Sequence, residues 1–223
     1  PLLNEHAPFY IPRPSFKRNN FVIYRQGRID EENMPLTKIA VLATLDSKSE
    51  AATYMCDVLK GLGVEPWLMD LSLKPHGIVG ADIGGDALAA KSGSRWTDVG
   101  EMERSEAAET MIKGGTEALV AAYDAGEISG AIAVGGANGC TVFCGMMRAL
   151  PALFPKVMVT PVAATAAVQW YVAESDIAMF PTISDIVMNR ITKSVMENAC
   201  YAVYGMAQAS EARQDRAQDA APL

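Results

Sequence analysis

Residues 130–141 read GAIAVGGANGCT: a short apolar run, two glycines, a polar turn, then residues able to open a helix. This is the pattern of a β-strand entering a glycine-rich turn at a helix N-terminus. Backbone N–H groups there are unpaired, and the positive end of the helix dipole stands behind them. A phosphate or carboxylate is the natural ligand of such a place. Gly135, Gly136 and Gly139 carry no Cβ, so a ligand can approach the main chain closely, and φ is free to be positive. The segment matches neither the dinucleotide fingerprint nor the P-loop, because no Lys-Ser/Thr pair follows the last glycine. A tight strand-to-helix turn without a ligand is the competing reading.

The same alternation extends to both sides. Lys38–Ala43 (KIAVLA) is a continuous apolar run, suited to a parallel strand buried on both faces. Ser49 can cap a helix that runs to about Leu62 and is closed by Gly63. Val64–Leu71, Ala131–Val134, Lys156–Thr160 and Ile177–Phe180 read as further strands. Glu103–Ala125, Thr141–Leu150 and Val187–Ala207 read as helices, and the polar stretch Ser72–Gly100 as a long loop. The expected fold is α/β, a three-layer Rossmann-like domain over residues 34–208. Its mostly parallel five-stranded sheet has helices on both faces, and the strand order reverses beside the first strand. Residues 1–33, with four prolines and only a brief apolar run at Phe21–Tyr24, read as an extended arm or a non-native extension. Residues 209–223 read as a flexible tail.

Composition narrows the function. Half of the 223 residues are hydrophobic and 20% are charged, enough to bury a large core. A net charge of −7 argues against a nucleic-acid-binding surface but leaves room for a local basic pocket. No stretch is long and apolar enough to span a membrane, and the expected location is cytoplasmic. Cys56, Cys140, Cys144 and Cys200 are scattered and lack histidine companions, so they read as reduced, buried residues rather than zinc ligands. Tyr201, Val203, Tyr204 and Met206 beside Val195 and Met196 give the closing helix a surplus of apolar surface, which points to a homo-oligomer or a second α/β domain.

In such sheets, ligands sit beyond the carboxyl ends of the strands, where the order reverses. After the first strand comes Thr44-Leu-Asp-Ser-Lys48. Thr44 or Ser47 can donate to a phosphate oxygen and Lys48 can neutralise it. Asp46 can hold a ribose hydroxyl or a metal through water, or, with Ser47, simply cap the helix. Asn138 stands at the tip of the glycine turn. Thr160–Thr165 forms a small-residue loop able to wrap a ligand. His76 reads as a solvated loop residue, Asp176 as a structural acceptor and Asp185 as a helix cap.

ATLDSK after the first strand, GAIAVGGANGCT after the third, MERSEAAETMIKGG and YVAESDIAMFPTISDI together resemble the N-terminal half of the Tm-1-like ATP-binding family. The resemblance covers Thr37 to Ala207 in order and spacing. Ala43 and Ser47 stand where members usually have glycine and threonine, and Ser105 where glycine is frequent; Asp46 and Lys48 match. The resemblance implies ATP or a related nucleotide as ligand, with magnesium accompanying it, and the expected binding set comprises Thr44, Asp46, Ser47, Lys48, Gly135, Gly136, Asn138, Gly139, Thr141 and Thr165. It also implies a second α/β half that would complete the cleft. Two other functions compete with nucleotide binding. One is part of an enzyme acting on a small carboxylate or phosphorylated metabolite. The other is a protein-interaction module using the 72–100 loop.

Overall fold

The apolar runs form five strands: β1 (Lys38–Ala43), β2 (Glu65–Asp70), β3 (Gly130–Val134), β4 (Lys156–Val159) and β5 (Ala178–Phe180). They make one sheet in the order β2-β1-β3-β4-β5, with every neighbouring pair parallel. The computed structural model describes residues 38–183 and 186–219, with side chains to 213. The arm at 1–33, with its Phe21–Tyr24 run, and Asp185 lie outside the described residues.

Successive strand residues feed opposite layers, as a period of two requires. Ala40, Leu42, Ala131, Ala133 and Met158 face α2 (Gly85–Ser92), α4 (Arg104–Asp124) and α5 (Ala137–Met147). Ile39, Val41, Ala43, Ile132, Val134, Val157 and Val159 face α1 (Leu45–Gly61) and α7 (Arg190–Asp219). Burial on both faces is why β1 and β3 are apolar throughout instead of alternating. The sheet is thus the middle layer of an α/β sandwich with a Rossmann-like arrangement.

Several boundaries differ from the sequence reading, each for a local reason. The 72–100 stretch is not all loop: it contains α2 and the six-residue α3 (Trp96–Glu101), both too short for periodicity to reveal. Glycines let these helices pack tightly. A Cβ on Gly114 of α4 would lie 1.9 Å from the Leu88 carbonyl oxygen of α2, and one on Gly85 would lie 2.6 Å from the Trp96 ring. Helix α5 starts at Ala137 rather than Thr141, because Gly136 serves as its N-cap. Helix α7 runs to Asp219, so most of the segment from 209 continues the helix. Its apolar surplus is largely consumed at home. Met196 and Val203 are fully buried on the sheet, Val195, Tyr204 and Met206 pack beside them, and Tyr201 stays 59% exposed.

At the N-terminal end of the strands, Lys156 is 1% exposed and sits 2.7 Å from Asp176 Oδ1, while the Leu153 N–H donates to Oδ2 at 2.6 Å. Asp176 is therefore the structural acceptor expected. Burial opposes its charge, but the Lys156 ammonium and the Leu153 N–H together hold its pKa below the usual carboxylate range. A lowered folded-state pKa stabilises above the unfolded value, near 3.9, and that stability fades as pH falls through the folded pKa. Asp176→Asn is expected to cost about 1–2 kcal/mol in urea unfolding at pH 7. That is less than the 3–5 kcal/mol of a fully buried pair, because Asp176 is 39% exposed and Pro151 still accepts from Lys156. The difference from wild type should shrink below pH 4.

Candidate functional site

Beyond the carboxyl ends of β1 and β3, α1 and α5 depart to opposite faces of the sheet and leave a cleft of about 650 Å³. That volume is typical of pockets that enclose small molecules. Eight predicted residues line it: Thr44, Asp46, Ser47, Lys48, Gly135, Gly136, Asn138 and Gly139. The rest of the wall comes from Leu73 and Lys74 after β2, from Met102, Glu103, Arg104 and Ala107 at the start of α4, and from Ala137 and Val142 of α5.

The two helix N-termini after β1 and β3 are treated differently. In α1, the Leu45 N–H donates to Asp70 Oδ1 at 3.2 Å and the Asp46 N–H to Ser72 Oγ at 3.1 Å. The Ser47 and Lys48 N–H groups both turn back to the Thr44 carbonyl, and α1 is kinked at Lys48 (φ −131°, ψ 21°). The hydroxyls of Thr44 and Ser47 lie 3.0 Å apart and bond each other. This terminus is already satisfied. In α5, by contrast, no side chain caps the helix, and its first intrahelical bond runs from the Cys140 N–H to the Gly136 carbonyl. The turn at Gly136–Gly139 is the one that offers main-chain donors.

The glycines divide their work. None of Gly135, Gly136 and Gly139 has positive φ, so the freedom anticipated from the sequence is not used. A Cβ on Gly135 would meet Gly139 Cα and the Phe143 ring at 3.0 Å, and one on Gly139 would meet the same ring at 3.0 Å. Those two make room for Phe143. Gly136 (φ −76°, ψ −161°) has nothing within 4 Å of a Cβ position and opens to the cleft.

Lys48, Lys74 and Arg104 bring three cations to the wall against the carboxylates of Asp46 and Glu103, and none of the three is ion-paired among the described residues. Lys74 and Arg104 escaped the sequence reading because they are 30 to 60 residues from the glycine turn. Only the block MERSEAAETMIKGG, which carries Arg104, hinted at them. Thr141 and Thr165 lie outside the cleft lining. Thr141 Oγ1 donates to the Ala137 carbonyl at 3.3 Å, and Thr165 Oγ1 to the Val162 carbonyl at 2.8 Å, just after the 3₁₀ turn Pro161–Ala164. His76 is not solvated: its side chain is 14% exposed and pairs with Asp70 at 2.8 Å.

The cysteines are all buried and free. Burial pushes the Cys56 thiol up to about 11 and the Cys200 thiol up to about 12, and a hydrogen bond to Cys140 raises Cys144. The thiols of Cys56, Cys144 and Cys200 stay protonated at neutral pH, while the hydrogen bond from Cys144 shifts the Cys140 thiol the other way, down. Among the described residues, no group of three or more His, Cys, Asp or Glu is placed to hold a metal ion, and no helix is long and apolar enough to cross a membrane.

The profile of the uncharacterised protein family (UPF0261) N-terminal domain matches residues 37–212. The chain belongs to this family. It is 32% identical over 171 residues to a UPF0261 protein of Clostridium tetani, covering 76% of this chain and 42% of that protein. Against UPF0261 protein RA0729 of Rhizobium meliloti it is 30% identical over 174 residues, covering 77% of this chain and 42% of the relative. A shorter stretch of 89 residues is 35% identical to the ToMV resistance protein Tm-1(GCR237) of Solanum lycopersicum, covering 40% of this chain and 12% of that protein. The chain therefore spans less than half the length of the UPF0261 proteins it matches.

Opposite responses are expected from the two neighbouring glycines. Gly135→Ala should lose about 1–3 kcal/mol in denaturant unfolding, because its methyl group is forced against backbone and ring. Gly136→Ser should gain about 0.5 kcal/mol, because a serine at the N-cap can accept from the free N–H groups of α5.

Proposed function

We propose that this domain binds a nucleotide, ATP in particular, with the phosphates on the N–H groups of Ala137–Gly139 and on Lys48, Lys74 and Arg104. The observation that carries the reading is the uncapped start of α5 facing three cations with no ion pair among the described residues, in a protein whose net charge is −7. The apolar side chains of Leu73, Met102, Ala107 and Val142 on the same wall suit a nucleoside base. The carboxylates of Asp46 and Glu103 suit the magnesium that accompanies a triphosphate, held through water. The partial match to the Tm-1 protein is in keeping with the resemblance to a Tm-1-like ATP-binding family.

A second reading is favoured by the chain's 42% share of its relatives' length. In that reading the anion is a small carboxylate or phosphorylated metabolite, and an acid or base comes from a second α/β half or another copy. Such a partner would cover exposed apolar side chains, of which Trp170 lies in the short helix after β4 and Ile183 and Val187 follow β5. In the 72–100 stretch of the interaction-module reading, Leu88, Ala89 and Val99 pack into the core while Ile78 and Val79 are exposed.

Calorimetry with Mg-ATP tests the proposal. Lys48→Ala should weaken binding by about 1.5–3 kcal/mol, the worth of a hydrogen bond to a charged group. Gly136→Ser should weaken it while leaving the fold at least as stable, since its hydroxyl competes for the same N–H groups. Absence of heat with wild type, or unchanged affinity in both folded variants, defeats the reading. Heat with a small carboxylate or sugar phosphate but not with ATP favours the second.

A further inference from the structure

The cluster Asp70–Ser72–His76 lies outside the cleft lining, yet touches the segments that form it. Asp70 closes β2, and its side chain is 6% exposed. Oδ1 accepts from the Leu45 N–H at 3.2 Å, the Ser72 N–H at 3.0 Å and Ser72 Oγ at 2.6 Å, while Oδ2 faces His76 Nε2 at 2.8 Å. Ser72 Oγ also accepts from the Asp46 N–H. The Ile78 N–H donates to His76 Nδ1 at 3.1 Å, so the ring's proton is on Nε2, which lies 2.8 Å from Asp70 Oδ2 and 3.0 Å from Ser72 Oγ. A buried carboxylate needs this full set of donors, and the ring supplies the one at Oδ2.

Two cleft walls therefore hang on one carboxylate. Leu45 and Asp46 begin the segment carrying Ser47 and Lys48, and Ser72 and His76 bracket Leu73 and Lys74. Pro75 between them reaches α3: a Cβ on Gly100 would lie 2.9 Å from its ring, just before Met102–Arg104. We propose that His76 is a positioning residue, a latch that holds the 44–48 and 72–76 segments in register through Asp70 and Ser72 and so sets the cleft's affinity for its anion. The affinity part rests on the nucleotide reading above; the positional part does not.

Hydrogen exchange on the full chain without ligand tests the latch, comparing wild type, His76→Leu, His76→Gln and Asp176→Asn. Glutamine keeps an N–H the same number of bonds from Cα as Nε2. Asp176→Asn loosens the opposite end of the sheet and serves as the control for general destabilisation. His76→Leu is expected to speed exchange about tenfold in peptides covering 44–49 and 71–79, the scale of one lost hydrogen bond, with β3 and β4 unchanged. His76→Gln should restore most of the protection, and Asp176→Asn should leave both segments as in wild type. Calorimetry with Mg-ATP should show affinity falling about fivefold or more in His76→Leu and recovering in His76→Gln. Unchanged exchange in His76→Leu, a uniform rise along the chain, or the same pattern in Asp176→Asn overturns the latch. ATP affinity unchanged in a His76→Leu variant with loosened segments overturns its link to binding. No heat with wild type defeats the nucleotide reading alone, and the exchange pattern still decides the latch. If His76→Leu does not fold, His76→Asn, whose side chain is shorter, replaces it: faster exchange at 44–49 and 71–79 supports the latch and no change overturns it.

Discussion

A parallel sheet covered on both faces has only the ends of its strands left for chemistry, and the reversal of order between β1 and β3 decides which end becomes a cleft. The chain leaves β1 toward β2 on one side and β3 toward β4 on the other, so right-handed crossovers put the two following helices in different layers: α1 joins α7 on one face, α5 joins α4 and α2 on the other. The main chain must part where they diverge. Every residue of the candidate site is placed by that divergence, including those delivered by α4 and the segment after β2. The opposite end of the sheet is closed by the Lys156–Asp176 pair and serves the fold.

The divergence alone would produce two similar helix N-termini. The structure separates them by what the neighbouring strand offers. Strand β2 ends at Asp70, which with Ser72 just beyond it satisfies N–H groups of α1, whereas β4 is followed by Thr160, whose hydroxyl accepts from the Val162 N–H of the adjoining 3₁₀ turn. Among the described residues nothing comparable reaches the start of α5. A helix with a glycine N-cap forgoes stabilisation that serine or asparagine would supply, and natural proteins commonly keep such a weakness where a ligand uses the position. Gly135 and Gly139, by contrast, are explained by Phe143 without any ligand, so the number of glycines in the turn overstates its case for phosphate.

The strands were legible because burial on both faces writes itself into the sequence as unbroken apolar runs, and the reversed order followed from right-handed crossovers. Eight of the ten site candidates could be read because they sit immediately after two such strands. Lys74 and Arg104 could not, because their nearness to the turn exists only once β2 and α4 are in place. His76 differs for a related reason: its partner Asp70 falls inside the strand read at Val64–Leu71, and six residues of separation give no sign of a bond. Thr141 was taken for the opening of α5 because a hydroxyl is the usual cap; the helix begins four residues earlier under a glycine, which has no such signature.

The balance of charge bears on how a phosphorylated ligand would be captured. At physiological salt, charges more than about 8 Å apart are largely screened, so the protein's overall −7 weighs little inside the cleft. There, Lys48, Lys74 and Arg104 face Asp46 and Glu103, a local excess of one positive charge before magnesium is counted. That excess is too small for strong long-range steering of a polyanion, and the rest of the surface repels one. Recognition must therefore come from contact: oriented N–H groups and side-chain bonds in fixed geometry, which act only over hydrogen-bonding distance. Such a site would gain its selectivity from the position of its walls rather than from its field, and the hydrogen bonds anchoring those walls to the end of β2 would then matter as much as the cations they carry.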